Sequence, residues 1–436
     1  MVETLRVGVA GLGTVGAALI AQIGKQREAI AARCGRRIEV VAVSARSRNK
    51  NRGVDLKKMK WFSDPVELAG FDGIDVFVEL MGGSGDPAKT AVEYALASGK
   101  SVVTANKALL AKHGFKLAQL AEKAGVALNY EAAVGAAIPV IKTLREGLAG
   151  NSINRVYGIL NGTCNYILTR MEQEGLSYAD CLADAQRLGY AEADPTFDVE
   201  GYDTAQKLAL LASLAFGTKV DEGAIYVEGI SSIAPADLAA ADELGYRIKL
   251  LGVAVRTGKG IEQRVHPTMV RKDSSIAQVM GVTNAVTIDA EGINPITLVG
   301  PGAGGAATAS AVLSDIADVA RGLKAPPFGR PTGKLVAVQK APMQRHEGGY
   351  YIRLEARDKP GTAATIATRL AEQEISLESI VQRHPKGEVP KSKNGSVPVI
   401  LITYATSEDA VRKALAAVGR DKVISGRPQV IRIEKN

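Results

Sequence analysis

Two charged residues near the middle of the chain have the types and the spacing that proton transfer requires. Asp203 and Lys207 are four residues apart at the start of an apolar helix, so both side chains lie on one helical face. A carboxylate beside an ammonium group can bind a zwitterionic amino acid, or hold the lysine as a proton donor. An ordinary helical salt bridge is the alternative, but the five carboxylates between Gly189 and Lys207 favour a binding site.

A glycine-rich motif near the N-terminus indicates where a nucleotide would bind. Residues 11–16 read Gly-x-Gly-x-x-Gly, directly after an apolar strand and before a predicted helix. In this motif the first glycine allows the turn, the second lets the backbone approach a pyrophosphate, and the third allows close packing of the helix. The predicted cofactor contacts are Gly11, Gly13, Thr14, Val15 and Gly16.

The end of the second predicted strand bears on the choice of cofactor. An NAD site usually has an acidic residue there, which holds the ribose 2′-hydroxyl. This chain has serines and arginines instead, with Arg46 as the predicted contact, and that favours NADP over NAD. A solvated basic loop is the alternative, because further lysines and arginines follow.

The pattern of elements predicts how these residues are positioned. Strands and helices alternate over residues 1–135, which predicts an α/β fold with a doubly wound parallel sheet of Rossmann type. Ligands of such sheets bind at the carboxyl ends of the strands. Lys107 follows a predicted strand at this edge, so we expect it in the site rather than as a surface lysine at a helix start.

The rest of the chain divides into further predicted segments. Residues 136–304 are predicted to form an α+β substrate-binding and dimerisation domain. Within it, Gly302 either contacts the cofactor or is part of a flexible turn. A helix within about 305–340 is expected to return and complete the nucleotide domain. Residues 341–349 are a predicted linker, and residues 350–436 show the β-α-β-β-α-β order of a ferredoxin-like domain.

Composition excludes several classes of protein. The chain has 436 residues, 46% of them hydrophobic and 23% charged, which is enough for two or three domains with cores. No apolar run has the length of a membrane span, so we predict a cytoplasmic location and no membrane partner. The net charge of +8 is spread along the chain without interleaved aromatic residues, so we expect no nucleic-acid partner.

Together these motifs resemble the homoserine dehydrogenase family with a C-terminal ACT domain. The resemblance covers nearly the whole chain and rests on residues 189–207, 104–107 (Thr-Ala-Asn-Lys), 161–163 (Asn-Gly-Thr) and 358–361 (Asp-Lys-Pro-Gly). It implies reversible reduction of L-aspartate 4-semialdehyde to L-homoserine by NAD(P)H, in threonine and methionine biosynthesis. It implies the single-function form, since we find no aspartate kinase segment.

The resemblance also implies roles for particular residues. Lys207 would donate the proton, with Lys107 at the same oxygen and Asp203 holding Lys207 or the substrate. Glu192 and Asp203 would face the substrate's ammonium group, and Asp198 would bind substrate or cap the following helix. The other implied contacts are Asn161 and Thr163 for the substrate, and Lys107 and Gly189 for the cofactor.

Two more ligands follow from the resemblance. A monovalent cation, sodium, would lie in the loop after the fifth strand, away from the path of the hydride. Its implied oxygen ligands are the carboxylate or the carbonyl of Glu131 and the carbonyls of Val134, Ala136 and Ile138. The ACT domain would bind threonine as an end-product inhibitor, although a purely structural dimerising tail is the alternative. The implied effector contacts are Asp358, Pro360 and Gly361, and a homodimer or homotetramer is expected.

Two rival functions stay open at this level. Cys164 could be the nucleophile of a thioester-forming semialdehyde dehydrogenase, with His266 as its base. A buried structural cysteine is the commoner case. A nucleotide- and amino-acid-sensing protein without catalysis is the second rival, and the presence of both Lys107 and Lys207 argues against it.

Overall fold

Six strands of the first domain form one parallel sheet. They are β1 (Thr4–Ala10), β2 (Arg37–Ser44), β3 (Lys60–Phe62), β4 (Val76–Glu79), β5 (Ser101–Thr104) and β6 (Leu128–Asn129). Their order in the computed structural model, which describes residues 3–341, 347–382 and 395–434, is β3-β2-β1-β4-β5-β6. This is the order of a doubly wound dinucleotide-binding sheet, so the predicted Rossmann-type fold is confirmed.

Helices cover both faces of this sheet. They are α1 (Thr14–Lys25), α2 (Arg27–Cys34), α3 (Pro65–Gly70), α4 (Ala88–Ala97), α5 (Lys107–Ala124) and α6 (Val140–Lys142). Because side chains alternate along a strand, Val7 and Val9 of β1 face the cluster that contains α1. Phe77 of β4 belongs to the cluster on the other face, with α3, α4 and α5.

The second domain is a mixed sheet packed against helices. Its strands are β7 (Ile153–Ile159), β8 (Tyr226–Val227), β9 (Tyr246–Thr257), β10 (Gly260–Arg271), β11 (Thr283–Ala290) and β12 (Ile296–Pro301). Its helices are α7 (Gly162–Glu174), α8 (Tyr178–Arg187), α9 (Thr196–Val199), α10 (Tyr202–Phe216) and α11 (Pro235–Glu243). No helix of the described residues, the buried α10 included, is long and apolar enough to cross a membrane.

One helix returns from the second domain to the first. Helix α12 (Gly305–Ala320) follows β12 and packs along α1, where its Val312 and Ile316 share a cluster with Leu19. A Cβ on Gly305 would lie 2.6 Å from the Thr14 side chain, so the starts of α12 and α1 touch. The glycine turn before α12 is therefore held beside the glycine motif rather than left as a loose connection.

The last domain has the predicted order of elements. They are β13 (Glu347–Arg357), α13 (Thr362–Ala371), β14 (Leu377–Gln382), β15 (Ser396–Thr403), β16 (Thr406–Ser407), α14 (Glu408–Arg420) and β17 (Ile424–Ile433). Of the predicted linker, residues 342–346 lie outside the described residues, and 347–349 already belong to β13. The strand starts earlier than predicted because its first residues pair with β16 and β17.

The second and last domains share a continuous sheet. Its order is β12-β11-β7-β9-β10-β17-β13-β15-β14, with β10 and β17 parallel at Thr268–Arg432 and Met269–Ile433. Side chains reinforce this junction. Arg432 pairs with Glu228 at 2.8 Å, and Arg353 pairs at 2.7 Å with Asp237, which is fully buried.

Candidate functional site

A cleft of about 660 Å³ lies between the first two domains. Its wall on the nucleotide side includes Val15 of α1 and Lys107 at the start of α5, and Gly302 borders it before α12. The wall on the other side comes from the start of α7, residues 188–190, Asp198 of α9, and the start of α10. The predicted residues that line it are Val15, Lys107, Val134, Ala136, Asn161, Thr163, Gly189, Asp198, Asp203, Lys207 and Gly302.

Asp203 lies at the centre of the charged groups in this cleft. Its Oδ2 accepts a hydrogen bond of 2.8 Å from the Lys207 Nζ, and its Oδ1 lies 3.2 Å from the Lys107 Nζ. Asn161 Nδ2 donates to the same Oδ2 at 2.9 Å. The carboxylate therefore joins lysines from two domains, where the resemblance implied a partner for Lys207 or the substrate alone.

The electrostatics of this group explain why so much charge can be buried. Burial by itself would raise the pKa of Asp203, but attraction to Lys207 and Lys107 outweighs it and lowers the pKa to about 2. Asp203 also lies in the first turn of α10, where the helix dipole favours an anion. Lys107 is the first residue of α5, where the same dipole disfavours a cation, so Asp203 compensates its charge.

Lys207 is held by two acceptors. Besides Asp203, its Nζ donates a 2.7 Å hydrogen bond to the Leu160 carbonyl, just after β7. The side chain is 11% exposed, whereas that of Lys107 is 31% exposed. One N–H of the Lys207 ammonium group remains for a third acceptor in the cleft. Nothing in the sequence marks Leu160 as part of the site, because its contribution is a backbone carbonyl.

Asp198 is a second carboxylate on the cleft wall. Its Oδ1 accepts a 2.8 Å hydrogen bond from Asn161. Burial and the nearby charge of Asp203 raise its pKa, and the hydrogen bond from Asn161 opposes that shift. It does not cap the following helix, since α10 begins after Gly201 without a side-chain cap. Within the described residues no ion pair joins Asp198 to a cation, unlike Asp203.

The Asn-Gly-Thr segment forms the start of α7. Asn161 Oδ1 accepts from the backbone amide of Cys164 at 2.8 Å and caps the helix, which aims Nδ2 at both carboxylates. A Cβ on Gly162 would lie 2.7 Å from the Val282 carbonyl. Thr163 Oγ1 donates to the Tyr190 carbonyl at 2.7 Å, which ties α7 to the segment around Gly189.

The glycine motif has the geometry that a dinucleotide needs. Gly11 has φ +101°, and a Cβ there would lie 2.4 Å from the Leu80 carbonyl. A Cβ on Gly16 would lie 2.1 Å from the Gly11 carbonyl, so this glycine packs α1 on the turn. Gly13 has no atom within 4 Å of such a Cβ, which leaves its side of the turn open. The residues therefore fit a bound NAD(P), with its pyrophosphate at Gly13 and the N-terminus of α1.

Two arginines after β2 behave differently. Arg46 is exposed, where a 2′-phosphate could reach it. Arg52, which the sequence interpretation did not include, donates to the carbonyls of Leu12 at 3.2 Å and Lys50 at 2.8 Å, and also to that of Ser47. It holds the basic loop on the glycine motif, and its position in a run of basic residues gave no sign of this role.

Glu192 is not among the residues that line the cleft. Its side chain is exposed, and its carbonyl accepts a 3.0 Å hydrogen bond from Gln186 Nε2. The acidic segment places Asp198 and Asp203 at the cleft and leaves Glu192 on the surface. The structure therefore separates Glu192 from Asp198 and Asp203, which the sequence grouped with it.

The predicted cation loop satisfies several of its own polar groups. The Glu131 carboxylate accepts from the amides of Ile141 at 2.8 Å and Lys142 at 2.9 Å, and the Ile138 carbonyl accepts from Val140 at 2.8 Å. No group of three His, Cys, Asp or Glu side chains in the described part of the chain could hold a metal ion. One acceptor position on each Glu131 carboxylate oxygen is thus taken by a backbone amide, and the cation site stays a prediction.

Cys164 lacks the surroundings of a nucleophile. Its thiol is fully buried and donates to the Asp198 carbonyl at 3.2 Å. Burial, together with the negative charges of Asp198 and Asp203, raises its pKa well above the usual range, so the reactive thiolate is disfavoured. Both ring nitrogens of His266 contact side chains of its own strand, Arg264 and Thr268, each at 2.9 Å.

The predicted effector contacts lie in the last domain. Asp358, Pro360 and Gly361 are exposed in the turn between β13 and α13. Gly361 has φ +89° and precedes α13 as its N-cap, which is the conformation that favours glycine. None of the three lines the cleft between the first two domains.

A dinucleotide-binding sheet with Lys107 at its carboxyl edge and Lys207 on the facing wall of the cleft is the arrangement of an NAD(P)-dependent oxidoreductase. Comparison with known families gives the particular one. The family model "Homoserine dehydrogenase" matches residues 139–317, and "Homoserine dehydrogenase, NAD binding domain" matches residues 11–131. "ACT domain" matches residues 350–420. The chain belongs to the homoserine dehydrogenase family, whose members are oxidoreductases that act on a CH–OH group.

Individual proteins agree with this assignment. The chain is 42% identical to a homoserine dehydrogenase of Neisseria gonorrhoeae over 438 residues, 99% of both chains. It is similar to the crystal structure of a homoserine dehydrogenase from Thiobacillus denitrificans, with a TM-score of 0.92, 40% identity and 99% coverage of both chains. A hyperthermophilic archaeal homoserine dehydrogenase in complex with NADPH matches at TM-score 0.63 and 27% identity, over 74% of this chain and 99% of that one.

Proposed function

We propose that this enzyme interconverts L-homoserine and L-aspartate 4-semialdehyde in the cleft between its first two domains. The observation that carries the proposal is the Lys107–Asp203–Lys207 group, which lines the same cleft as Val15 of the glycine motif. A bound nicotinamide supplies or accepts the hydride at the substrate's C4. The protein must then position the substrate oxygen and move its proton.

Lys207 is the proposed proton donor, with Lys107 beside the same oxygen. During reduction the aldehyde oxygen becomes an alkoxide as the hydride arrives, and it takes a proton from the Lys207 ammonium group. During oxidation the hydroxyl proton passes to the neutral Lys207 amine as the hydride leaves. Asp203 and the Leu160 carbonyl hold the Lys207 nitrogen while this happens. A positioned acid or base of this kind contributes a factor of about 10² to 10⁴ in rate.

The substrate's charged ends have partners on the other wall. Asp198 is the proposed partner of the α-ammonium group, since it borders the cleft and forms no ion pair of its own within the described residues. The exposed Glu192 would need a movement of its segment to join it. The α-carboxylate is proposed to lie at the start of α7, where Asn161 and Thr163 border the cleft and the helix dipole favours an anion.

NADP is the proposed cofactor. The strand β2 ends at Ser44 without an acidic residue for the ribose 2′-hydroxyl, and the exposed Arg46 follows. The archaeal relative in complex with NADPH supports this choice. Sodium is proposed only as a structural ion in the loop after β6, and no step of the proposed chemistry uses it.

The ACT domain is proposed to bind threonine and to inhibit the enzyme as the end product of the pathway. The turn that contains Asp358, Pro360 and Gly361 is exposed at the start of α13, where amide groups could receive a carboxylate. The continuous sheet provides the connection to the catalytic domain. A homodimer or homotetramer is the proposed assembly, located in the cytoplasm.

The proposal is tested by homoserine oxidation assays on lysine variants, with NADP and with NAD. We expect Lys207→Met to lower kcat about a hundredfold or more, and Lys107→Met to lower it by a smaller factor. Lys116→Met is the matched control, because Lys116 forms an exposed ion pair with Glu93. A wild type without activity on homoserine, or a Lys207→Met variant as active as the control, would refute the proposed mechanism.

A further inference from the structure

A buried carboxylate beneath the cleft takes no part in the mechanism above. Glu79 is the last residue of β4 and is 0% exposed. Its Oε1 accepts from the amides of Met81 at 2.7 Å and Gly82 at 3.1 Å. Its Oε2 accepts from the Thr104 hydroxyl at 2.6 Å. All three donors are neutral groups. The Glu79 side chain therefore holds the backbone of residues 81 and 82 and the side chain of Thr104 in place.

The hydrogen bonds continue from Glu79 to the start of α5. Thr104 Oγ1 accepts from the Asn106 amide at 2.9 Å. Asn106 Oδ1 then caps α5 at the Leu109 amide, 3.0 Å away, and its Nδ2 donates to the Gly83 carbonyl at 2.7 Å. The ring closes through the backbone of residues 82 and 83 to Glu79. Lys107 follows Asn106 directly, so this ring sets where its side chain begins.

The Glu79 carboxylate also fixes residues 80–82, which lie against the glycine motif. The Leu80 amide donates to the Ala10 carbonyl at 2.8 Å. A Cβ on Gly11 would lie 2.4 Å from the Leu80 carbonyl, so the glycine turn rests on the segment that Glu79 holds. Three strand ends thus meet here: β1 with the cofactor turn, β4 with Glu79, and β5 with the approach to Lys107.

We propose that Glu79 is a positioning residue for the dehydrogenase reaction, which keeps Lys107 at a fixed distance from the glycine motif that binds the cofactor. The proposal rests on the function proposed above for Lys107. Hydride transfer and proton transfer occur at adjacent atoms of the substrate, so their donors must keep a fixed separation, and misplacement by about 1 Å can cost a hundredfold in rate. Glu79 contacts the segment beside the glycine motif and Thr104 before Lys107, and its proposed role requires no contact with substrate or cofactor.

The variant that tests this is Glu79→Gln, which keeps the shape of the side chain. The glutamine carbonyl can still accept from the two backbone amides, but its NH2 group then faces Thr104, and the hydroxyl proton that Thr104 donates to Glu79 loses its acceptor. We expect kcat to fall about tenfold, and the deuterium isotope effect on kcat with C4-deuterated homoserine to rise. Asp75→Asn is the matched control, because Asp75 pairs with Arg6 at the other end of β4.

A double-mutant cycle separates positioning from plain loss of stability. If Glu79 acts through Lys107, adding Glu79→Gln to Lys107→Met should lower kcat by less than about twofold. A full tenfold further loss, an unchanged isotope effect, or a kcat equal to that of Asp75→Asn would overturn the inference. Failure of the function proposed for Lys107 shows separately, as an unchanged kcat in the single Lys107→Met variant, and it overturns this inference as well.

Discussion

At the scale of single residues, Asp203 is the group on which the site depends. It neutralises two lysines that approach from different domains, and it is almost fully buried. A buried charge of this kind is tolerated because both lysines are close and because Asp203 Oδ2 also accepts a hydrogen bond from Asn161. The carboxylate therefore holds the two lysines together across the cleft.

The free energy of unfolding in acid should depend on the pairing of Asp203 with the two lysines. The pKa of Asp203 falls from an ordinary 3.8 to about 2 on folding, so its stabilising contribution is complete above about pH 4 and is lost as the pH falls towards 2. The contribution amounts to about 2 kcal/mol. We expect Asp203→Asn to flatten the pH dependence of urea unfolding between pH 4 and 2.

The control for this measurement is Asp72→Asn, at an exposed carboxylate of the first domain. Its unfolding should follow the pH dependence of the wild type. Equal slopes for Asp203→Asn and Asp72→Asn over this range would show that Asp203 is not paired as described.

The sequence predicts residues whose roles depend on local spacing. Asp203 and Lys207 share a helical face, and this could be derived from their separation of four residues. The strand-edge argument placed Lys107 in the site, but its pairing with Asp203 was not predicted, because the two lie far apart in the chain. The Leu160 carbonyl, Arg52 and Glu79 were missed, because their roles exist only once distant backbone segments meet.

At the scale of elements, the glycine turn and α1 show how local rules position the cofactor. The strand, turn and helix follow the predicted order, but α1 begins at Thr14 and a second helix follows from Arg27. The sequence predicted a single helix from Ala17 to Ala32, because the one glycine in this stretch, Gly24, does not by itself end a helix. The departure of Gln26 from helical backbone is small, with φ −109° and ψ 15°.

Two alanine substitutions in this turn should affect different properties, one of them cofactor binding and the other stability. Gly13→Ala meets no protein atom within 4 Å and has φ −76°, so we expect an unchanged Tm and a KM for NADP raised about tenfold or more by contact with the pyrophosphate. Gly16→Ala would press on the Gly11 carbonyl at 2.1 Å and should lower Tm. Thermal unfolding and initial-rate kinetics measure both effects.

Gly24→Ala is the control within the same helix. Gly24 is exposed and its added methyl group meets nothing within 4 Å, so we expect a gain of about 0.5–1 kcal/mol in stability and no change in KM. A Gly13→Ala variant with the KM of Gly24→Ala would contradict the proposed position of the pyrophosphate.

At the scale of the whole molecule, the ACT domain is built into the catalytic sheet rather than attached by a flexible tether. The β10–β17 pairing joins the sheets, and Arg353 and Tyr351 of β13 both reach Asp237 at the start of α11. Such a junction gives an effector a mechanical connection to the catalytic domain. It also predicts that the two domains unfold together.

Arg353→Met tests this junction. Asp237 is fully buried, so loss of its cation leaves a charge that Tyr351 only partly compensates, and we expect a cost of about 3 kcal/mol. Calorimetry should show one transition for these domains in the wild type and a lower Tm in the variant. Arg271→Met, which removes an exposed pair with Asp273, should change Tm by a degree or two at most, about 0–1 kcal/mol. Equal effects in the two variants would contradict the described junction.

The return of α12 to the nucleotide domain has a consequence for how the protein is made. The ribosome synthesises β1 and α1 first, yet their apolar partners Val312 and Ile316 emerge only after the entire substrate domain. Until then the nascent nucleotide domain exposes one side of α1 to chaperones and to neighbouring chains. Strand β17 of the ACT domain, which pairs with β10, is synthesised later still. Synthesis interrupted before α12 would therefore leave a fragment prone to aggregation rather than a working nucleotide-binding module.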